Sequence, residues 1–215
     1  MASQRPLAKK QALPSQHCVK SKDTMVPPES EQDNAEHGLR TPLEGVAAQP
    51  FQPGDAIPAP LRLICPIVPR EWVDYNGHMS ESCYLLVFGD QSDAFFRKIG
   101  IDEAYRAGGH SLFTVQTMIF NLAEAHLGDP LDLSLQLIDA DDKRLHIFHA
   151  MHHGETGELL ATGEQMLVHV DMTAGRSAPM PPELHARVHA VLAAHAGLER
   201  PAQVGRSIGI RRDSK

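Results

Sequence analysis

The residues in this sequence best suited to chemistry lie in one short run, Trp72-Val73-Asp74-Tyr75-Asn76-Gly77-His78-Met79. A carboxylate, Asp74, stands three residues before Gly77 and just ahead of a segment that reads as a helix. Glycine tolerates φ > 0, which lets backbone approach a ligand closely. The amides of Gly77, His78 and Met79, together with the positive end of a helix dipole, would offer hydrogen-bond donors to a carbonyl that develops negative charge. A carboxylate beside that carbonyl can attack it or activate a water. The same composition, Asp-Tyr-Asn-Gly, is also that of an ordinary turn. On the residues alone, both readings stay open.

The elements around the run say more. Ser80 is placed to cap a helix that runs to Ile99 and stops at Gly100, with Glu81 in its positive first turn. From Cys83 to Phe88 that helix is apolar on every face, which predicts that it is buried all round. Ahead of it, Leu61 to Val68 reads as a strand that Pro66 confines to an edge. Behind it the period changes to 2. Leu112 to Glu124 reads as a strand apolar on both faces, and Leu131 to Leu137 alternates leucine with polar residues. Strands over Arg144 to His152 and Leu159 to Asp171 follow, then a helix from Glu183 to His195. One strand, one buried helix and four antiparallel strands make an α+β domain. Strands apolar on both faces predict an oligomer that covers the outer one.

Residues 1–58 hold eight of the 16 prolines and a single aromatic, Phe51, and the stretch from Met25 to Gly45 has no sustained period. Such a segment cannot bury enough apolar surface to offset its ordering entropy, so a disordered extension is expected. Lysines in place of arginines, with Pro6 and Pro14, argue against an amphipathic targeting helix. The expected division is 1–58 extension, 59–172 folded domain and 173–215 C-terminal helix and tail.

A net charge of -7 speaks against a nucleic-acid partner, and no apolar run is long enough to span a bilayer. Cys18, Cys65 and Cys83 are scattered and odd in number, which fits free thiols in a reducing, cytoplasmic setting. Thirteen histidines raise the question of a metal. His146 and His149 point to opposite faces of their strand, and His185 and His189 lack a third ligand in helical phase, so no metal is expected. No Gly-x-Ser-x-Gly elbow, dinucleotide loop or phosphate loop is present.

The run at Asp74, with Gly77, His78-Met79 and Tyr84, resembles the 4-hydroxybenzoyl-CoA thioesterase branch of the hotdog superfamily. The resemblance extends from Pro60 to Asp171 and implies a hotdog fold, in which a curved antiparallel sheet wraps one long helix. It implies that Asp74 is the catalytic carboxylate and that the amides after it polarise a thioester carbonyl. It departs from the pattern at Ser80, Glu81 and Cys83. A narrower resemblance rests on Ser111-Leu112-Phe113-Thr114, on Lys143 to His149, on Glu164 to Asp171 and on Val204 to Ile210. These segments look like the thioesterases associated with carnitine dehydrogenase, which implies hydrolysis of betainyl-CoA to glycine betaine and CoA.

A quaternary ammonium group favours aromatic faces, so Trp72, Tyr75 and Tyr84 are expected substrate-binding residues, with Asn76 beside them in the loop and Glu124 adding a charge. No cofactor is expected, because coenzyme A enters as part of the substrate. Arg144, Arg176 and Arg206 are candidates for its phosphates. The expected assembly is a homodimer or homotetramer, and a carnitine dehydrogenase would be a separate chain. The alternatives are a thioesterase for another short or aromatic acyl group, or a non-catalytic domain that binds acyl-CoA or a partner.

Overall fold

The computed structural model describes residues 43, 45 and 49–210. The expectation for residues 1–58 therefore lies mostly outside the described residues. A single turn of 3-10 helix, Arg70–Trp72, precedes the long helix α1, Glu81–Ile99. A short helix α2, Glu103–Ala107, was not foreseen; Asp102 caps it by accepting the Tyr105 N–H at 2.9 Å. Then come β1 (His110–Asn121), β2 (Leu131–Ala140), β3 (Arg144–His153), β4 (Leu159–Asp171), a two-residue β5 (Arg176–Ser177) and α3 (Pro182–His195). The order across the sheet is β1-β4-β3-β2, all antiparallel, with β5 beside the end of β4. This sheet curled about α1 is the expected α+β hotdog arrangement.

The first expected strand is not one. Leu61 to Val68 runs antiparallel beside β2, but only Leu61↔Leu135 and Ile67↔Pro130 form bridges. Pro66 has no amide to donate, and neither has Pro130, which sits opposite Ile67 just ahead of β2, so the ladder loses donors on both sides at this end.

α1 is buried along a stripe rather than all round. Tyr84, Val87, Phe88, Gln91, Ser92, Phe95 and Ile99 face the sheet, whereas Leu85 and Leu86 are 45% and 49% exposed. One curved sheet covers one side of a helix, and the apolar far side has no cover within this protomer.

The core has an apolar cluster at each end of α1 and a polar waist between. One cluster gathers Phe95, Ile99, Leu135, Leu145, Leu167 and Val188 beneath α3. The other gathers Met79, Tyr84, Val87, Phe88, Leu133 and Leu160 at the start of α1. At the waist the Ser92 hydroxyl lies 3.0 Å from Gln165 Oε1 and 3.2 Å from His149 Nε2. His149 is wholly buried and stacks on Phe88, with ring centroids 5.2 Å apart. Two more histidines tie elements together. His195 accepts the Leu137 N–H at Nδ1 (2.9 Å) and donates from Nε2 to Pro58 O (3.1 Å). His169 donates from Nδ1 to Ala178 O (2.9 Å) and accepts the Tyr105 hydroxyl at Nε2 (2.7 Å).

Cys65 is disulfide-bonded, against the expectation of free thiols, while Cys83 is free.

Burial pushes the His149 imidazole down to about 4, whereas burial and the nearby Asp93 carboxylate push Asp90 on α1 up to about 6. The two act oppositely on stability. Protonation of His149 favours the unfolded chain, so its contribution is present above about pH 6.5 and is lost toward pH 4, a difference of about 3 kcal/mol. Protonation of Asp90 favours the folded chain, so acid adds what neutral pH removes. Urea midpoints measured from pH 7 to pH 4 separate them: on acidification His149→Phe loses less stability than the parent, and Asp90→Asn loses more.

Candidate active site

The segment from Trp72 to Ser80 is a tight hairpin set against the start of α1. Val73 and Met79 bridge across it, and the Ser80 amide donates to Trp72 O at 2.8 Å. Asp74 sits at its turn. The Asp74 Oδ1 accepts the Asn76 N–H at 2.7 Å, and the Asp74 carbonyl accepts the Gly77 N–H at 3.1 Å. Gly77 adopts φ 89°, the left-handed conformation that glycine permits. The second carboxylate oxygen, Oδ2, has no hydrogen-bond partner among the described residues.

The donors differ from the expected set. The Gly77 amide closes the turn onto Asp74, and the Met79 amide donates to Ala125 O at 2.7 Å. Neither is available to a ligand, because each satisfies a backbone carbonyl that the fold needs satisfied. Of the three amides expected, only that of His78 is uncommitted among the described residues. Beside it lies the N-terminus of α1, where Ser80 is the N-cap residue but its side chain makes no capping bond. The Cys83 amide donates to Ser80 O at 2.9 Å, which leaves the Glu81 and Ser82 amides of the first turn uncommitted among the described residues, with the positive end of the helix dipole behind them.

Met79 is buried and anchors the hairpin in the core cluster below it. His78 is partly exposed, with Nε2 3.7 Å from Glu124 Oε1. Glu124 follows the end of β1 and also faces His126, whose Nε2 lies 3.8 Å from Oε2. The Glu124-x-His126 spacing was the sequence signal for this second imidazole, and it was missed.

Tyr84 fixes Glu124 from below. Its hydroxyl donates to Ala123 O at 3.4 Å and accepts the Ala125 N–H at 3.2 Å, so it clasps the backbone on both sides of Glu124. Tyr84 is only 4% exposed, and burial raises its phenol above the ordinary value.

The three aromatics expected to share a ligand do not form a cluster within the protomer. Tyr84 is buried under the loop, Tyr75 stands at the turn 96% exposed, and Trp72 packs half-buried against the core cluster that holds Met79. A two-residue turn throws Tyr75 and Asn76 outward while the hairpin legs turn Trp72 inward. What the structure brings together is Asp74, the His78 amide, the open end of α1, the His78 ring and Glu124. Among the arginine candidates, Arg144 is paired with Asp141 at 2.5 Å, away from this loop.

The thioesterase-like superfamily profile matches residues 68–188. A betainyl-CoA thioesterase of Pseudomonas aeruginosa is 47% identical over 67% of this chain and 91% of its own length. An L-carnitine dehydrogenase/betainyl-CoA thioesterase of Rhizobium meliloti is 48% identical over 71% of this chain, which spans only 31% of that relative's length. Among solved structures, a Staphylococcus aureus protein in complex with CoA superposes with a TM-score of 0.67 at 26% identity, covering 73% of this chain and all of that one (100%). A 1,4-dihydroxy-2-naphthoyl-CoA thioesterase from Synechocystis shares the fold, with a TM-score of 0.53 at 20% identity over 64% of this chain and 96% of that one.

Replacing Tyr84 by Phe leaves the Ala125 amide without its acceptor, at a cost of about 1–3 kcal/mol. Thermal melting should register it as a lowered midpoint, and an unchanged midpoint would show that the hydroxyl is not a clasp.

Proposed function

Because the chain belongs to the thioesterase-like superfamily, we propose that it hydrolyses an acyl-CoA thioester, with betainyl-CoA as substrate and glycine betaine and CoA as products. The observation that carries this is the Asp74 carboxylate, held by the Asn76 amide at one oxygen and open at the other, beside uncommitted donors at the start of α1. In the reaction the thioester carbonyl faces Asp74. Either Oδ2 attacks the carbonyl carbon and expels the CoA thiolate, leaving an anhydride that water opens, or the carboxylate takes a proton from a water that attacks directly. Both routes consume one water and release a carboxylate, a thiol and one proton. The oxyanion faces the His78 amide and the Glu81 and Ser82 amides of α1, donors of a kind that typically contribute about 3 kcal/mol each to the transition state.

The trimethylammonium of a betainyl group lies close to its carbonyl, so its recognition must occur beside Asp74. Glu124 supplies a carboxylate there, and the ring of Trp72 is the nearest aromatic of the hairpin legs. The names of the Pseudomonas and Rhizobium relatives support this acyl group over an aromatic one. The Rhizobium name joins a carnitine dehydrogenase to the same activity, which supports a place beside such a dehydrogenase in carnitine breakdown. A CoA thioester as substrate puts the reaction in the cytoplasm.

The active form is a dimer joined along β1. That strand is the open edge of the sheet, and Phe113 and Val115 on it are 51% and 59% exposed. An edge of unpaired amides and carbonyls with apolar side chains is a template for a second copy. Such pairing would also bring cover to the bare Leu85 and Leu86 of α1.

Thiol release assayed with betainyl-, acetyl-, 4-hydroxybenzoyl- and longer acyl-CoAs tests the substrate. Turnover should be highest with betainyl-CoA; release from the others without it would leave a thioesterase of different specificity, and none at all a binding domain. Asp74→Asn should lower turnover by about 10²- to 10⁴-fold with the fold intact, the range for a lost acid–base group. Undiminished release would remove Asp74 from the mechanism.

A further inference from the structure

The chain beyond α3 crosses the outer face of the sheet, the face turned away from α1. Pro201 and Gln203 lie over Phe148, Ala150 and Thr162, roofing a pocket of about 240 Å³. A turn over residues 202–205 then brings the Gly205 amide onto the Glu164 carboxylate, 3.0 and 2.9 Å from its two oxygens. Glu164 is itself held by His146, whose Nε2 lies 2.7 Å from Oε1. The path therefore leads from β3 to β4 and is anchored one strand short of the open edge, since Glu164 pairs with Met118 on β1.

Past the anchor, residues 206–210 carry two isoleucines at alternate positions, Ile208 and Ile210, which are 89% and 87% exposed. Alternation puts both on one side of an extended segment. Two isoleucines presented together on a segment that begins from a fixed point need something to cover them. Five extended residues reach about 16 Å. From Gly205, β1 is one strand spacing away and a strand paired to it from another copy is two, about 10 Å in all. On that same outer face β1 carries exposed Phe113, which pairs with Val168 on β4.

We propose that residues 206–210 form a clasp that crosses the β1 edge and seats Ile208 and Ile210 on the outer face of a second copy, near its Phe113. The partner's segment does the same in return, so each protomer's C-terminal segment holds the other across the two-fold axis. The occupant is this chain itself because antiparallel β1 pairing about a two-fold axis between Val115 and Gln116 sets the partner's Phe113 opposite Met118, beside the Gly205 anchor and within the span of the segment. The clasp rests on the dimer proposed above, and its failure can be told apart from the failure of that dimer.

Sedimentation equilibrium on the full chain tests it, comparing the parent with Ile208→Ser/Ile210→Ser, with Glu164→Ala and with Val115→Lys. The isoleucine pair should weaken the dimer about tenfold or more. Melting measured at concentrations where both proteins are monomeric should be unchanged, since both side chains are outside the protomer's core. Glu164→Ala, which releases Gly205, should weaken it in the same direction. Val115→Lys puts a charge in the edge and should dissociate the dimer. A dimer undisturbed by the isoleucine pair but broken by Val115→Lys overturns the clasp and keeps the edge. Weakening by the isoleucine pair with no effect of Val115→Lys overturns pairing along β1 and with it the clasp across that edge, and places the isoleucines in a different contact between copies. A parent that is monomeric throughout overturns both.

Discussion

Phe88 lies against the His149 ring on one side and the bare backbone of Gly163 on another, and this contact sets how closely α1 approaches the sheet. A Cβ at Gly163 would come within 2.8 Å of the Phe88 ring, a distance that close-packed interiors do not tolerate without displacement. Gly163 is thus where β4 makes room for the helix, at the waist between the two apolar clusters. The polar groups there, Ser92, His149 and Gln165, satisfy one another in part, so the waist fixes one depth and one register of the helix.

That depth is transmitted to the loop in front. α1 begins at Glu81, so its first turn and the hairpin before it move as one with Phe88, two turns further on. Tyr84, one turn before Phe88, couples the helix to the residues after β1 through its hydroxyl. Asp74 and Glu124, 50 positions apart in the chain, are placed relative to each other by this route: hairpin to helix, helix to Tyr84, Tyr84 to the backbone around Glu124. The effect of these links is positional, and reactions at a carbonyl lose rate steeply when groups shift by an ångström.

The alternation of Leu131 to Leu137 and the run from Leu159 to Asp171 announced β2 and β4 because one face of each meets the core, and β4 has the expected ends. The helix from Glu81 to Gly100 was equally plain, since a glycine with φ 101° ends it. Pairing order was not readable from periodicity: nothing local says that β1 lies beside β4 rather than β2. The strand expected at Leu61 failed because Pro66 and Pro130, the latter opposite Ile67, both withhold amides at the same end of the pairing, a conjunction invisible before the register is known. The Asp74 loop was legible as a turn, but which of its amides are committed depends on Ala125, 51 residues on. Tyr84 misled for a similar reason. Its aromatic type suggested a binding face, whereas its position in the buried stripe of α1 turns that face into the core.

The electrostatics of the site follow from its exposure. Glu124 is 64% exposed in the protomer, so it meets a cation in nearly aqueous surroundings. Two unit charges about 4 Å apart attract by about 1 kcal/mol there, but by about 4 kcal/mol at the lower effective dielectric of a partly covered site. The first figure barely separates a cationic acyl group from a neutral one of the same size. The second gives a preference of several hundredfold. Cover would be needed to make Glu124 selective in the proposed role, and the protomer leaves that cover off: Leu85 and Leu86 on α1 and Leu122 and Leu127 on either side of Glu124 are all exposed apolar residues. A second copy laid along β1 lies close to this ground. In the proposed dimer, assembly and substrate preference are coupled, because the surface that joins two protomers would also lower the dielectric in which the Glu124 carboxylate and a cationic acyl group meet.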